Sequence, residues 1–278
     1  MAAARLVGFP ILLGAMALLA TVSAAQEADF RLSRPPGQGA LLRGTAPPGS
    51  VSMDLGGHAV PLAPDGRFVI GFDRDAGPAA VLTARLADGS EVRVPLTVAP
   101  RAWPIQHINM ARPSGGPTPE YARLREGELV RIGQARAQRS SSIGWSQRFI
   151  LPARGRVSGV FGSQRVYRGG VPAAYHSGVD IAAGAGAIVS APADGVVTLA
   201  PPPGFSLEGN LVILDHGMGL TSAFLHLSRA SVRVGDRVRQ GEEIGRVGAT
   251  GRATGPHLHW SLVWNGARLD PQAAASAR

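Results

Sequence analysis

The stretch Gly248–Trp264, "GATGRATGPHLHWSLVW", puts two of only seven histidines one residue apart. In an extended strand successive side chains point to opposite faces. His257 and His259 therefore share one face, while Leu258 and Trp260 share the other and can pack into a core. Two readings follow: a pair of imidazoles aimed at one point, or a pair of satisfied polar histidines beside a core.

The sequence around that strand has the same texture. From residue 148 onward, "GRVSGVFG", "AIVSAPADGVVTLA", "NLVILDHG" and "LTSAFLHLS" are short apolar or alternating runs broken by glycine. They predict one antiparallel β domain over 148–278 with little helix and no fixed-period repeat. Residues 26–100 predict a separate small β-sandwich-like domain. Its runs "SVSMDL", "RFVIGF", "AAVLTARLA" and "EVRVPLTV" are separated by turn-forming "APPGS", "APDG", "DRDAGP" and "ADGS". His58 sits there alone in a strand pattern and reads as structural.

Residues 101–147 read as a linker with one helix over about 119–138. Thr118 or Pro119 can start it. Tyr121, Leu124, Leu129 and Ile132 recur at near-helical spacing, which predicts a solvated helix lying on a neighbour. His107 lies in the linker without a partner nearby.

Composition narrows the classes. With no cysteine among 278 residues, disulfides, thiol nucleophiles and thiolate metal sites are excluded. The formal charge is +9, and every basic residue is arginine. That balance suits an anionic partner such as a cell-envelope surface. Scattered arginines and few aromatics argue against a stacking platform, so nucleic acid is not expected as a partner. At the N-terminus, Arg5 precedes the apolar run "LVGFPILLGAMALLATV" and the small-residue "SAA". This predicts a secretory signal over 1–25, cleaved after Ala24 or Ala25, and hence a periplasmic or extracellular, wall-associated chain. An uncleaved anchor is the alternative.

Three further histidines remain. In "YHSGVDIA", His176 and Asp180 stand four apart; an extended segment, or a turn at Gly178, would bring both onto one metal. An imidazole and a carboxylate suit zinc. His226 lies in the alternating "TSAFLHLS" with Phe224 on its side. Asp215 and His216, in "LDHGMG", read as structural turn residues. A catalytic zinc site needs three protein ligands and an open position. His176, Asp180 and one of His257 and His259 supply three, leaving imidazoles nearby to exchange protons near neutral pH.

Taken together, "LPARGRVSGVFG", "HSGVDIA", "IVSAPADGVV", "GNLVILDHGMG", "FLHLS", "VRVGDRVRQGEEIGRVGATGRATGPHLHWSLV" and "NGARLDP" resemble, in order, the lysostaphin/LytM-like zinc metallopeptidases. Those enzymes cut the peptide parts of bacterial peptidoglycan. The resemblance covers roughly residues 150–271 and implies an antiparallel β-sheet peptidase domain, the duplicated hybrid motif. It implies His176, Asp180 and His259 as ligands of one zinc per chain, and His226 and His257 as catalytic histidines. Peptidoglycan stem peptides are the implied substrate, cut at a direct crosslink or a glycine bridge. Phe224 departs from the family's usual tyrosine. Gly248, Gly251 and Gly255 would form tight turns or let backbone approach an extended peptide. A non-enzymatic regulator of other wall hydrolases is the alternative function. A lipoyl- or biotinyl-type carrier is disfavoured because it needs a lysine that this chain lacks. A cover over the groove by the N-terminal module or the linker helix would make the enzyme latent.

Overall fold

In the computed structural model, residues 30–112 and 118–276 are described. The signal reading over 1–25 lies outside them. Glycine and proline turns cut the apolar runs into short strands. The first seven are β1 (Arg31–Leu32), β2 (Leu41–Thr45), β3 (Ser50–Leu55), β4 (His58–Val60), β5 (Arg67–Gly71), β6 (Ala79–Leu86) and β7 (Glu91–Thr97). They make two antiparallel sheets, β1-β2-β5 and β4-β3-β6-β7. Leu42, Phe68 and Ile70 from one sheet and Met53, Val60 and Leu82 from the other join a single apolar core.

The linker holds β8 (Ile105–Ile108) and helix α1 (Pro119–Ala137). Thr118 caps α1, its Oγ1 accepting from the Tyr121 N–H at 3.2 Å, with proline at the first helical position. The docked face is the predicted one only at Ile132. Glu128, Ile132 and Ala135 are buried, whereas Leu124 and Leu129 are 55% and 53% exposed. The reason is a polar anchor, Glu128, which fixes the helix rotation and turns the leucines outward.

The remaining strands are β9 (Arg156–Gly159), β10 (Gln164–Tyr167), β11 (Val171–Pro172), β12 (Val179–Ala182), β13 (Ile188–Ser190), β14 (Gly195–Leu199), β15 (Asn210–Asp215), β16 (Leu220–Ala230), β17 (Arg237–Val238), β18 (Glu243–Val247), β19 (Leu258–Trp264) and β20 (Ala267–Leu269). A short helix, α2 (Pro271–Ser276), follows. Ten of these strands form one antiparallel sheet whose main path is β17-β14-β15-β16-β19-β12-β9. The exception to antiparallel pairing lies elsewhere: β8 runs parallel to β10, with Gln106 opposite Arg165 and His107 opposite Val166. The linker therefore adds a strand beside the C-terminal domain, and His107 sits within it.

The N-terminal module, the linker and this domain are joined by specific polar contacts. Arg43 donates to the Trp145 carbonyl at 2.8 Å, buried Arg74 donates to the Gly162 carbonyl at 3.0 Å, and Arg101 pairs with Asp270 at 2.7 Å.

Behind the central strands lies a buried polar chain. His216 Nδ1–H donates to the Asp194 carbonyl at 2.8 Å, so its Nε2 accepts from Ser222 Oγ–H at 2.8 Å, and Ser222 Oγ accepts from Trp260 Nε1–H at 3.2 Å. His216 is fully buried, and burial pulls its pKa down from 6.5 to about 4. Below pH 6.5 the unfolded chain takes up this proton while the folded chain does not, so stability falls as pH drops toward 4 and is intact above 6.5. The expected loss across that window is about 3 kcal/mol from this residue. Denaturant unfolding across the window checks it; a His216→Gln chain should lose that part of the slope.

Candidate active site

Adjacent strands of the large sheet bring the candidate residues together. Asp180 on β12 stands directly opposite His259 on β19, and His259 stands opposite Leu225 on β16. His176 precedes β12. Its Nε2 lies 3.0 Å from Asp180 Oδ1 and 3.1 Å from His259 Nδ1, and His259 Nδ1 lies 2.9 Å from Asp180 Oδ1. The residues between the two histidines behave as alternation requires: Leu258 and Trp260 are fully buried on the other side of β19.

Two glycines allow this closeness. A Cβ on Gly178 would meet the Trp260 carbonyl at 2.4 Å and His259 Nε2 at 2.6 Å. A Cβ on Gly159 would meet Asp180 Oδ2 at 2.4 Å. Both positions need glycine because there is no room for a side chain, whatever the backbone angle. Gly248 and Gly251 pack against the chain's own backbone at Ser228 and Gly209, while Gly255 lines the cleft. Gly248 and Gly251 thus serve turns and chain packing, and Gly255 is the one of the three placed where a peptide could lie.

His226 arrives by an irregularity. On β15–β16, Asn210 faces Leu227 and Val212 faces Phe224, so Leu225 and His226 together oppose one residue. This is a β-bulge. His226 takes φ +64°, rare for a residue with a Cβ. The bulge frees His226 from the face of Phe224, which is fully buried in the core. His226 Nδ1–H donates to the Thr250 carbonyl at 2.9 Å, and its main-chain N–H donates to the Glu208 carbonyl at 2.8 Å.

His257 completes the group. Its ring centroid is 4.9 Å from that of His226, and its Nε2 is 3.9 Å from Asp180 Oδ1. His257 Nδ1–H donates to the Gly255 carbonyl at 2.8 Å. A carbonyl can only accept, so in both His226 and His257 Nδ1 carries a proton, and in the neutral ring the lone pair is on Nε2. The structure thus brings all five predicted residues to one place. His216 stays outside the cleft, in the layer behind it.

The electrostatics suit a cation between the three donors. His176 Nδ1–H donates to the Val160 carbonyl at 3.1 Å, which leaves the Nε2 lone pair facing Asp180 and His259. Two imidazole nitrogens and a carboxylate oxygen then lie within 4.8 Å of one another, their lone pairs converging on one spot. Burial opposes ionisation of Asp180, but the hydrogen bonds and charges of His176 and His259 outweigh it and hold the carboxyl well below its usual range. Burial lowers the His259 pKa, which favours the neutral, ligating ring. Burial also works against a charged His176, yet Asp180 raises its pKa overall. For His226 burial dominates and lowers the pKa.

Two contiguous hollows form the cleft. One, of about 650 Å³, is lined by all five residues together with the Arg252–Pro256 loop. The second, of about 730 Å³, runs from His176 and Asp180 past Tyr167 and Gln106. Among the described residues, neither the N-terminal module nor α1 lines either hollow. The linker contributes only Gln106. A cover that would make the site latent is therefore absent among the described residues.

Sequence reading missed the support that α1 gives this site. Arg125 reaches Glu128 at 2.7 Å and Glu208 at 2.7 Å, and Ser206 Oγ–H donates to Glu128 at 2.6 Å. Glu208 is the residue whose carbonyl holds the His226 N–H. The two carboxylates are nearly buried, with 6% and 12% of their side chains exposed. Replacing Arg125 with leucine would leave both without their cation. By the usual cost of breaking a buried pair, Arg125→Leu is expected to destabilise the fold by about 3–5 kcal/mol. Urea denaturation of the full chain measures this; an unchanged midpoint would refute it. The only hint in the sequence was the acidic position within an otherwise apolar helical face.

Sheet, cleft and donor set together define an antiparallel β-sheet domain with a metal-competent centre. Residues 174–271 match the model of Peptidase family M23. The solved structure of a putative peptidase M23 from Pseudomonas aeruginosa is 29% identical and superposes with a TM-score of 0.67, covering 88% of this chain and 97% of that one. The shared fold thus reaches beyond the peptidase domain into the N-terminal module. The peptidoglycan DD-endopeptidase ShyA of Vibrio cholerae is 35% identical over 120 residues, which are 43% of this chain and 27% of that protein. ShyC, a peptidoglycan DD-endopeptidase of the same organism, is 43% identical over 79 residues, covering 28% of this chain and 18% of that protein. The chain thus spans about a quarter or less of these two curated relatives.

Proposed function

We propose that this chain is a zinc-dependent endopeptidase that hydrolyses peptide crosslinks of bacterial peptidoglycan outside the cytoplasm. One observation carries the reading: His176, Asp180 and His259 converge at the floor of an open cleft with His226 and His257 beside them. The similarity to peptidoglycan DD-endopeptidases supports the substrate. The reading of export rests on residues 1–25.

His176, Asp180 and His259 would hold the zinc. Bound there, zinc supplies Lewis-acid chemistry, polarising a carbonyl and lowering the pKa of water. The chain's own groups do the rest. The cleft receives an extended peptide over the face of the sheet formed by β16, β19 and β12. His226 and His257 present Nε2 lone pairs, held by their Nδ1–H bonds to main-chain carbonyls. An imidazole in that state takes the proton of attacking water at Nε2 and returns it to the leaving amine. While charged, the same ring stabilises the developing oxyanion. Burial keeps His226 neutral, and so ready as a base, at pH 7. Both rings are in the same tautomer, so the proton transfer is assigned to the pair.

The test uses the full chain, loaded with zinc, on purified peptidoglycan sacculi. Soluble fragments carrying new amine ends are expected, and their masses name the bond. Sacculi left intact by a chain that holds zinc would contradict the proposal.

A further inference from the structure

Two arginines reach the cleft from different elements. Arg165 lies on β10, and Arg252 lies in the loop before β19. Both line both hollows. Among the described residues, the Arg252 side chain makes no hydrogen bond or ion pair; only its main-chain N–H is used, donating to the Leu207 carbonyl. Arg165 spends one N–H, its Nε donating to Gln106 Oε1 at 3.3 Å, and makes no ion pair. Some arginines elsewhere have acidic partners, among them Arg125 with Glu208, Arg246 with Glu243 and Arg101 with Asp270; what sets Arg165 and Arg252 apart is their place in the cleft.

The cleft offers them no such partner. Among the described residues, Asp180 is the single acidic side chain lining either hollow, and it is engaged by His176 and His259. Two guanidinium groups thus stand beside the reacting centre with their donor edges available. A guanidinium presents N–H groups in a planar fork that matches a carboxylate, and such charge-assisted pairs are the strong ones.

We infer that Arg165 and Arg252 form a carboxylate-binding subsite, so that the substrate is a peptide with free carboxylates flanking the scissile bond. A direct crosslink between stem peptides has such groups; a glycine bridge carries none along its length. Amidation of those carboxylates is then a natural way for a wall to escape this enzyme. The inference rests on the endopeptidase reading for the identity of the substrate, and on the two arginines for its charge.

Binding tests it without relying on turnover. A fluorescent crosslinked stem-peptide dimer and its carboxamide twin are titrated against the full chain by anisotropy at low salt. The wild-type chain binds the free-carboxylate dimer about tenfold or more tightly than the twin, the usual scale for a lost charged hydrogen bond. Arg165→Gln and Arg252→Gln each weaken that preference, and the double variant binds both peptides alike. Arg252→Lys, which keeps the charge and loses the fork, falls between. Equal binding of the two dimers by the wild type, a preference that survives in the double variant, or no measurable binding of either overturns the inference. Hydrolysis followed in parallel separates the two claims. Carboxylate-dependent binding without cleavage keeps the subsite and removes the endopeptidase; cleavage indifferent to amidation does the reverse.

Discussion

A His257→Ala chain is expected to keep its fold and its zinc yet lose about 10²–10⁴ in kcat, the range for removing a general acid–base group. His257 lies 3.9 Å from Asp180 Oδ1 through its Nε2 and is fixed by the Gly255 carbonyl, so its loss takes away a proton acceptor without touching the donor set. His226→Ala is expected to fall in the same range, because the two rings sit 4.9 Å apart and share one tautomer. The double variant should be little worse than either single one, since the pair acts as a unit. Steady-state rates on a crosslinked dimer, with metal content measured on the same samples, decide it. A rate within a few-fold of wild type for His257→Ala would remove this residue from the mechanism.

The second large effect is at the donor set. Asp180→Ala removes the carboxylate that both His176 Nε2 and His259 Nδ1 face at about 3 Å. Zinc affinity is expected to fall more than about 100-fold, exceeding the 10–100-fold typical of altering a group that merely orients a ligand. Activity at stoichiometric zinc falls to background. His176→Ala and His259→Ala should behave alike. Competition with a chromophoric chelator gives the affinities. Full zinc retention after dialysis of all three variants would contradict the assignment.

Local pattern carried much of this site. The alternation of "HLHW" dictated which faces His257 and His259 take, and the structure has Leu258 and Trp260 buried opposite them. The short strands and turn residues of 148–278 read as an antiparallel sheet, and that sheet is present. What escaped reading depends on distant partners. β8 is four residues long and pairs with a strand some sixty residues on, so "IQHI" carries no local signal. The bulge that turns His226 out from the side of Phe224 breaks the very alternation that a sequence reader assumes. The rotation of α1 follows from Glu128 meeting Arg125 and Ser206, a polar contact that overrides the leucine pattern. His216 looked like turn chemistry; its neighbours Ser222 and Trp260 make it a buried brace behind β19.

Positions such as Gly178 show how the two levels meet. Sequence marks it as a turn candidate between His176 and Asp180. The fold gives the stronger reason: the His259 ring and the Trp260 carbonyl occupy the space a Cβ would need.

The most direct measurement is the rate of dimer hydrolysis by metal-free chain as zinc is titrated in. The account predicts no cleavage without metal and a rate rising in proportion to zinc until one equivalent per chain is bound, each turnover giving two products with one new amine end. Full cleavage by the metal-free chain, or an intact dimer once one zinc is bound at His176, Asp180 and His259, would contradict it.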